Sequence, residues 1–334
     1  MSNGPFDNFL IPSGPSAGDV AASPSPDVRS RVAEACHGWV TKYTSADTRS
    51  NYRLDVGQFL SFSGLPTEEP EKLLGVRPHH VTAWRDHLSA SGLTNNSIRR
   101  KLTVLRSLFG FLQRAGLVAT NPAHSDFVAA PAVPRDGKTV GLAPGDCRRL
   151  LEAPPIDTPA GLRDRALLAV LAFTGCRVGE LTRLKVGSIK MAGVHRVIEV
   201  MGKGGKERRV PLHPEAAERL EAWLDAAGIR DQRNGPLFRA RRAPTADNPA
   251  RFSGRPLTRR AVQKLVSSLV RRLRLDPNVS VHSLRVTALT TARERGCDVI
   301  DLQDFAGHSD PRTTLTYIRN RDRLSKSPAY ALSY

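Results

Sequence analysis

Between residues 118 and 143 the sequence turns to Ala, Pro, Asp and Gly, and Pro122, Pro131 and Pro134 discourage any helix through the interval. A break of that kind divides the 334 residues into two foldable lengths, in keeping with single cores that stop growing at around 250 residues. The expected organisation is a lead-in over 1–26, a helical domain over 27–117, a linker over 118–143, a second domain over 144–320 and a tail over 321–334. The lead-in is Gly, Pro, Ser and Ala with few large apolar side chains. It buries too little to offset the entropy of ordering and is expected to be flexible.

From Asp27 the pattern is helical, over roughly 27–43, 46–63, 78–90 and 94–115, with Gly, Pro and Ser as punctuation. In the last of these Ile98, Leu102, Leu105, Phe109 and Leu112 recur at steps of four and three, which places one apolar stripe inward. Arg99, Arg100, Lys101 and Arg106 fall largely elsewhere and give the domain a basic surface. The second domain starts near Leu142 with helices at about 144–153 and 161–173, the latter apolar enough from Ala166 to Phe173 to form a central core helix that Gly175 stops. Val194–Val200 and Arg208–Leu212 then favour β structure around Gly202-Lys203-Gly204-Gly205-Lys206, a hairpin with a glycine-rich tip. Helix returns at about 214–227 and 258–274, with Arg239–Pro256 expected as a loop. The fold class is mainly α, with a small antiparallel β hairpin or sheet in the second domain.

Fifty Lys and Arg against 32 Asp and Glu leave a formal charge of +18, spread through segments that read as folded. That balance suits a polyanion, nucleic acid first, better than a membrane surface. Cys36, Cys147, Cys176 and Cys297 form no C-x-x-C pair, so neither a zinc ribbon nor a disulfide framework is indicated, and a reducing cytoplasm fits. The longest apolar run falls far short of the roughly 20 residues that span a bilayer. The glycine-lysine hairpin lacks G-x-x-x-x-G-K-[ST] and no helix follows it, which argues against ATP use.

Opening a phosphodiester without a metal needs a nucleophile, a proton donor for the leaving oxygen and fixed positive charge around a phosphorane. Arg177, in Thr174-Gly175-Cys176-Arg177-Val178-Gly179-Glu180-Leu181, and Arg285, in His282-Ser283-Leu284-Arg285, suit the non-bridging oxygens because guanidinium stays charged and presents a planar fork. His282 and Arg285, three apart on a first helical turn, project to one side. His308 follows Gly307 in a tight turn and can donate to the same phosphate; Tyr317 lies nine residues on, about two short turns later. A phenol with a reference pKa near 10 needs that cationic surround, with His282 as proton acceptor. Lys203, on the hairpin tip, can reach the departing 5′ oxygen as general acid, a role that Lys206 at the same tip leaves open until a motif position is assigned. No third ligand accompanies the two histidines, so no metal is expected, nor any other cofactor.

The ordered set resembles the phage integrase, or tyrosine recombinase, family over about residues 30–320, closest in layout to its Xer-like members. The resemblance implies that Arg177, Lys203, His282, Arg285, His308 and Tyr317 are the catalytic positions and that Glu180 supports the first arginine. It also implies that the first domain is a SAM-like, core-DNA-binding half of a clamp, with Asn95, Asn96, Arg99, Arg100 and Lys101 as DNA-contacting candidates. The implied partners are double-stranded DNA with paired half-sites and other copies of the chain, in a tetramer, with an accessory DNA-bending protein or partner recombinase allowed. Cys176 stands where leucine is common, Val286 where histidine is frequent, and Ile318-Arg319 where Thr-His is often seen. Relaxation of DNA by a type IB topoisomerase, or DNA binding without catalysis, are the rival functions.

Overall fold

The computed structural model describes residues 27–133, 139–202, 205–242 and 252–318, with backbone alone at 317 and 318. The lead-in 1–26, the tail 321–334 and Lys203 lie outside the described residues. The chain divides into two units between Pro134 and Arg135.

The first unit is built from α1 (Val28–Thr41), α2 (Ala46–Phe62), a 3-10 turn at Pro70–Gly75, α3 (Pro78–Ala90) and α4 (Asn95–Arg114). Three of the four helices open on an oxygen-bearing side chain that accepts a backbone N–H of the first turn: Asp27, Ser45 and Thr94. Ile98, Leu102, Leu105, Phe109 and Leu112 of α4 are all buried, as their spacing predicts, against Trp39, Phe59 and Trp84 of the other three helices. Trp39 donates its indole N–H to Ser107 on α4 at 3.0 Å, so this buried ring has its polar atom satisfied.

Residues 118–133, expected to be a linker, are instead packed on this unit, with Ala123 and Val128 in its core. Arg106 provides the reason. Its guanidinium donates to the carbonyls of Ala123 at 2.8 Å and Val128 at 2.7 Å, while the Asn121 amide donates to the Arg106 carbonyl at 2.9 Å. Prolines exclude helix from this stretch, and side-chain donors satisfy its backbone in place of a helical ladder.

The second unit runs α5 (Pro144–Glu152), α6 (Pro159–Thr174), α7 (Val178–Leu181), β1 (Ile189–Ala192), β2 (His195–Met201), β3 (Glu207–Pro211), α8 (Pro214–Ala227), β4 (Arg239–Arg241), β5 (Phe252–Pro256), α9 (Arg259–Arg272), α10 (Val281–Glu294), α11 (Val299–Ala306) and α12 (Pro311–Ile318). Helix α6 is the hub, packed between α8 and α10 with every residue from Ala166 to Leu171 buried. Burying each of its Leu and Val side chains contributes roughly 2 kcal/mol before chain entropy is charged. Strands β1, β2 and β3 form an antiparallel sheet in that order, with Ile189 opposite Ile198 and Val200 opposite Arg208. The fold is mainly α with small antiparallel sheets, as the sequence patterns predict.

The span Arg239–Pro256, expected as a loop, carries an antiparallel pair, with Arg241 opposite Phe252. Its order comes from tertiary contacts: Phe252 meets the buried Trp223 edge-on at 4.8 Å, and the Arg239 carbonyl accepts from Arg163 at 2.9 Å. Among the described residues no helix is long and apolar enough to cross a membrane.

Candidate active site

Helix α6 ends at Gly175, whose φ of +57° and whose missing Cβ, which would sit 3.0 Å from the Phe305 ring, both call for glycine. The sharp turn delivers Arg177 to the N-cap of α7. There its backbone N–H donates to Glu180 Oε2 at 2.8 Å and its Nη1 to Glu180 Oε1 at 2.9 Å. Glu180 is only 3% exposed, whereas the Arg177 side chain is 41% exposed, so a buried carboxylate holds a guanidinium that still faces solvent. Burial raises the Glu180 pKa, but the hydrogen bonds and charges of Arg208 and Arg177 outweigh it and leave it below the usual carboxylate value.

Arg285 is the fifth residue of α10 and is 1% exposed. Its Nη1 donates to the Gly175 carbonyl, and its Nη2 lies 2.7 Å from the Ala306 carbonyl and 2.6 Å from His308 Nε2. One guanidinium thus ties the end of α6 to the end of α11. Gly307, with φ of +62°, then reverses the chain into His308. A second helix, α12, occupies the interval to Tyr317, where two short turns were expected, so the backbone of Tyr317 lies in a helix that starts two residues after Ser309.

A guanidinium can only donate, so His308 Nε2 must accept from Arg285, and the ring proton resides on Nδ1, 2.9 Å from the Thr314 hydroxyl. The sequence suggests His308 as a donor to phosphate; in this structure its Nε2 orients Arg285 instead. Burial, followed by the charges of Arg285, Arg177 and Arg208, pushes the His308 pKa down to about 4. His282 keeps an exposed edge, yet desolvation of its ring and the charges of Arg285 and Arg177 lower its pKa as well. Both imidazoles are therefore neutral at pH 7, and His282 is available as a proton acceptor.

The His308 shift has a thermodynamic consequence. From its ordinary value of 6.5 down to about 4 the unfolded chain binds a proton that the folded chain refuses, so stability is lost as pH falls through that window. The loss attributable to this residue is up to about 3 kcal/mol. Urea unfolding at pH 7.5 and 4.5 is expected to show a smaller pH-dependent loss in His308→Gln than in the wild type; equal losses would contradict it.

The structure brings Arg177, Glu180, His282, Arg285 and His308 into one electrostatic cluster. Lys203 lies outside the described residues, and of Tyr317 the backbone alone is described. Arg208, on β3, was missed as a site residue: its Nη2 donates to Glu180 Oε2 at 2.9 Å and its Nε to the Phe305 carbonyl at 3.2 Å. The Cys176 thiol next to Arg177 is buried, and that burial pushes its pKa to about 11, which disqualifies it as a nucleophile.

On the first unit, Asn96 and Arg99 are exposed on α4, and Asn95 is exposed with its amide donating to the Ala132 carbonyl at 2.8 Å. Arg100 is half exposed and pairs with Asp55 through both terminal nitrogens. Lys101 differs from expectation. It is 6% exposed, its ammonium 2.8 Å from the buried Asp55 carboxylate and also bonded to Gln58. Its position three residues after Ile98 and one before Leu102 places it on the apolar arc, and an ion pair with Asp55 is what allows a lysine to remain there.

Two family profiles match the chain: the Phage integrase family over residues 142–323, more than half of its length, and the Phage integrase N-terminal SAM-like domain over 38–116. Tyrosine recombinase XerC of Pelobacter propionicus is 33% identical over 284 residues, covering 84% of this chain and 87% of that protein. Tyrosine recombinase XerC of Herpetosiphon aurantiacus is 31% identical, covering 86% and 89%. In fold the chain is similar to a XerH site-specific recombinase bound to a palindromic difH substrate, with a TM-score of 0.64, 19% identity and 91% and 90% coverage. A lambda integrase dimer bound to a COC′ core site gives the same TM-score at 18% identity, with 88% and 77% coverage. The chain belongs to the phage integrase family, the tyrosine recombinases that break and rejoin DNA.

Proposed function

We propose that the protein is a site-specific recombinase in which Tyr317 attacks the scissile phosphate, leaving a 3′-phosphotyrosyl enzyme and a free 5′ hydroxyl. Arg177 and Arg285 neutralise the non-bridging oxygens, His282 takes the phenolic proton, and Lys203 gives a proton to the departing 5′ oxygen. His308 keeps Arg285 oriented through its Nε2, and donates to the phosphate itself once its proton moves from Nδ1 to Nε2. A 5′ hydroxyl from the partner strand then displaces the tyrosine, and two such exchanges pass through a Holliday junction. The phosphotyrosyl bond conserves the energy of the broken bond, so the chemistry calls for neither metal nor nucleotide.

The observation that carries this reading is the grouping of two arginines and two neutral histidines around the turns that precede α12, the helix whose backbone includes Tyr317. Exposed Arg99 and half-exposed Arg100 suit phosphate contact by the first unit, with Asn95 and Asn96 beside them. Four copies acting on two DNA sites in the cytoplasm, at the nucleoid, complete the proposal.

The test uses inverted half-sites that the full-length wild type selects from a randomised duplex pool, assembled into a nicked duplex. An SDS-stable adduct, with Tyr317 linked to a 3′ phosphate, and recombinant joints between two labelled duplexes are expected. Relaxation of supercoiled DNA without joints would instead indicate a topoisomerase, and binding without an adduct an idle DNA-binding protein.

A further inference from the structure

Resting on that functional reading, we infer that Arg208 is a positioning residue for the cleavage reaction: by holding the far side of the Glu180 carboxylate it keeps Arg177 turned toward the scissile phosphate. Glu180 has two oxygens and three donors. Oε1 receives Arg177 Nη1, and Oε2 receives both the Arg177 backbone N–H and Arg208 Nη2. Without Arg208, Oε2 would keep the backbone N–H alone, and the buried carboxylate would rotate to bring both oxygens onto Arg177. A bidentate grip of that kind is the preferred geometry of an arginine–carboxylate pair and draws the guanidinium inward, away from any phosphate. With Arg208 present, Glu180 takes one terminal nitrogen of Arg177, and the Arg177 side chain stays 41% exposed.

Arg208 is built for this place. The side chain is 13% exposed, and it reaches from β3 to Glu180 with one nitrogen and to the Phe305 carbonyl with another. Its position also explains Gly307, because a Cβ there would stand 3.1 Å from Arg208 Nη1 and 3.2 Å from its Cδ, in addition to the positive φ. Its base lies on β3, opposite Val200 on β2. One side chain therefore joins the β sheet, the Arg177 turn and the turn before His308.

Single-turnover adduct formation at saturating DNA tests the inference, with the wild type, Arg208→Ala and Arg208→Lys as full-length chains on the selected nicked duplex. Two versions are needed, one with the natural scissile phosphodiester and one in which a methylphosphonate replaces it. The second has no charge on its non-bridging position and so needs little from Arg177. Arg208→Ala is expected to slow adduct formation on the order of 100-fold on the phosphodiester, as misplacing a reacting-centre partner does. On the methylphosphonate the deficit should shrink to within about fivefold, since electrostatic stabilisation by Arg177 is then no longer at stake. Arg208→Lys retains a cation for Glu180 without the second reach to Phe305 and should fall between the two. Equal deficits on both substrates would overturn the inference, showing a general structural role, and so would a full rate for Arg208→Ala on the phosphodiester. A wild type that forms no adduct on either substrate would remove the recombinase reading, and this inference with it.

Discussion

Tyr317→Phe is expected to bind the selected duplex within about threefold of the wild type and to form no SDS-stable adduct, a loss of at least ~10⁴ in cleavage rate. The argument follows from what one oxygen does. Attack on phosphorus requires a lone pair on a nucleophile that can be deprotonated in place, and the phenylalanine ring keeps the shape of tyrosine without that atom. The surrounding charge remains but has no nucleophile to activate. Neutral His282 would lose its proton donor, and Arg177 and Arg285 would still grip the phosphate, which is why binding should survive while chemistry does not. Denaturing gels of labelled nicked duplex, read beside equilibrium binding at one fixed salt concentration, check both halves. An adduct that persists in the variant would mean that another side chain attacks. Cys176, the nearest thiol in sequence to Arg177, is a poor replacement because burial keeps it protonated.

How far this site could be read before its structure depended on whether a residue's task was encoded locally. Arg177, Glu180, His282 and Arg285 lie in short motifs at helix starts, where a three-residue spacing already places side chains together. The apolar stripe of α4 was legible for the same reason, since period 3.6 is a local property. Lys101 was misjudged because hydrophobicity alone sorted it outward, although its spacing from Ile98 and Leu102 lies on the buried arc; the acidic partner that holds it there, Asp55, is 46 residues away. Arg106 and Arg208 are cations whose partners are backbone carbonyls or a carboxylate brought up by tertiary folding, at separations of 17, 22, 28 and 97 residues. No periodicity announces such a bond. The β4 and β5 pair has no strand signature in sequence because β4 is Arg-Ala-Arg and β5 carries Gly254 and Pro256, and the burial that orders them comes from Trp223 and Arg163 on other elements.

Arg285→Ala is expected to lower the unfolding free energy of the second unit by about 3–5 kcal/mol and to reduce cleavage at least 10³-fold at saturating DNA. Two effects of different origin coincide at this residue. Truncation leaves the Gly175 and Ala306 carbonyls without their guanidinium partner in a buried setting, at about 1–3 kcal/mol for each polar group left unpaired, and opens a cavity beside them. It also removes the donor that fixes His308 Nε2, so the imidazole loses the bond that selects its Nδ1–H tautomer. Arg285→Lys separates the two effects. An ammonium at the end of a four-carbon stem can donate to one of the two carbonyls, and the variant should recover roughly half of the lost stability. It lacks the planar fork, so it cannot hold both turns and address a phosphate together, and cleavage should stay at least 10²-fold below the wild type. Urea midpoints of the second-unit transition and single-turnover cleavage, measured on the same preparations, decide the matter. If stability and cleavage recovered in parallel in the lysine variant, Arg285 would act through folding alone; if only stability recovers, the guanidinium that pins the ends of α6 and α11 is also the group the phosphate needs.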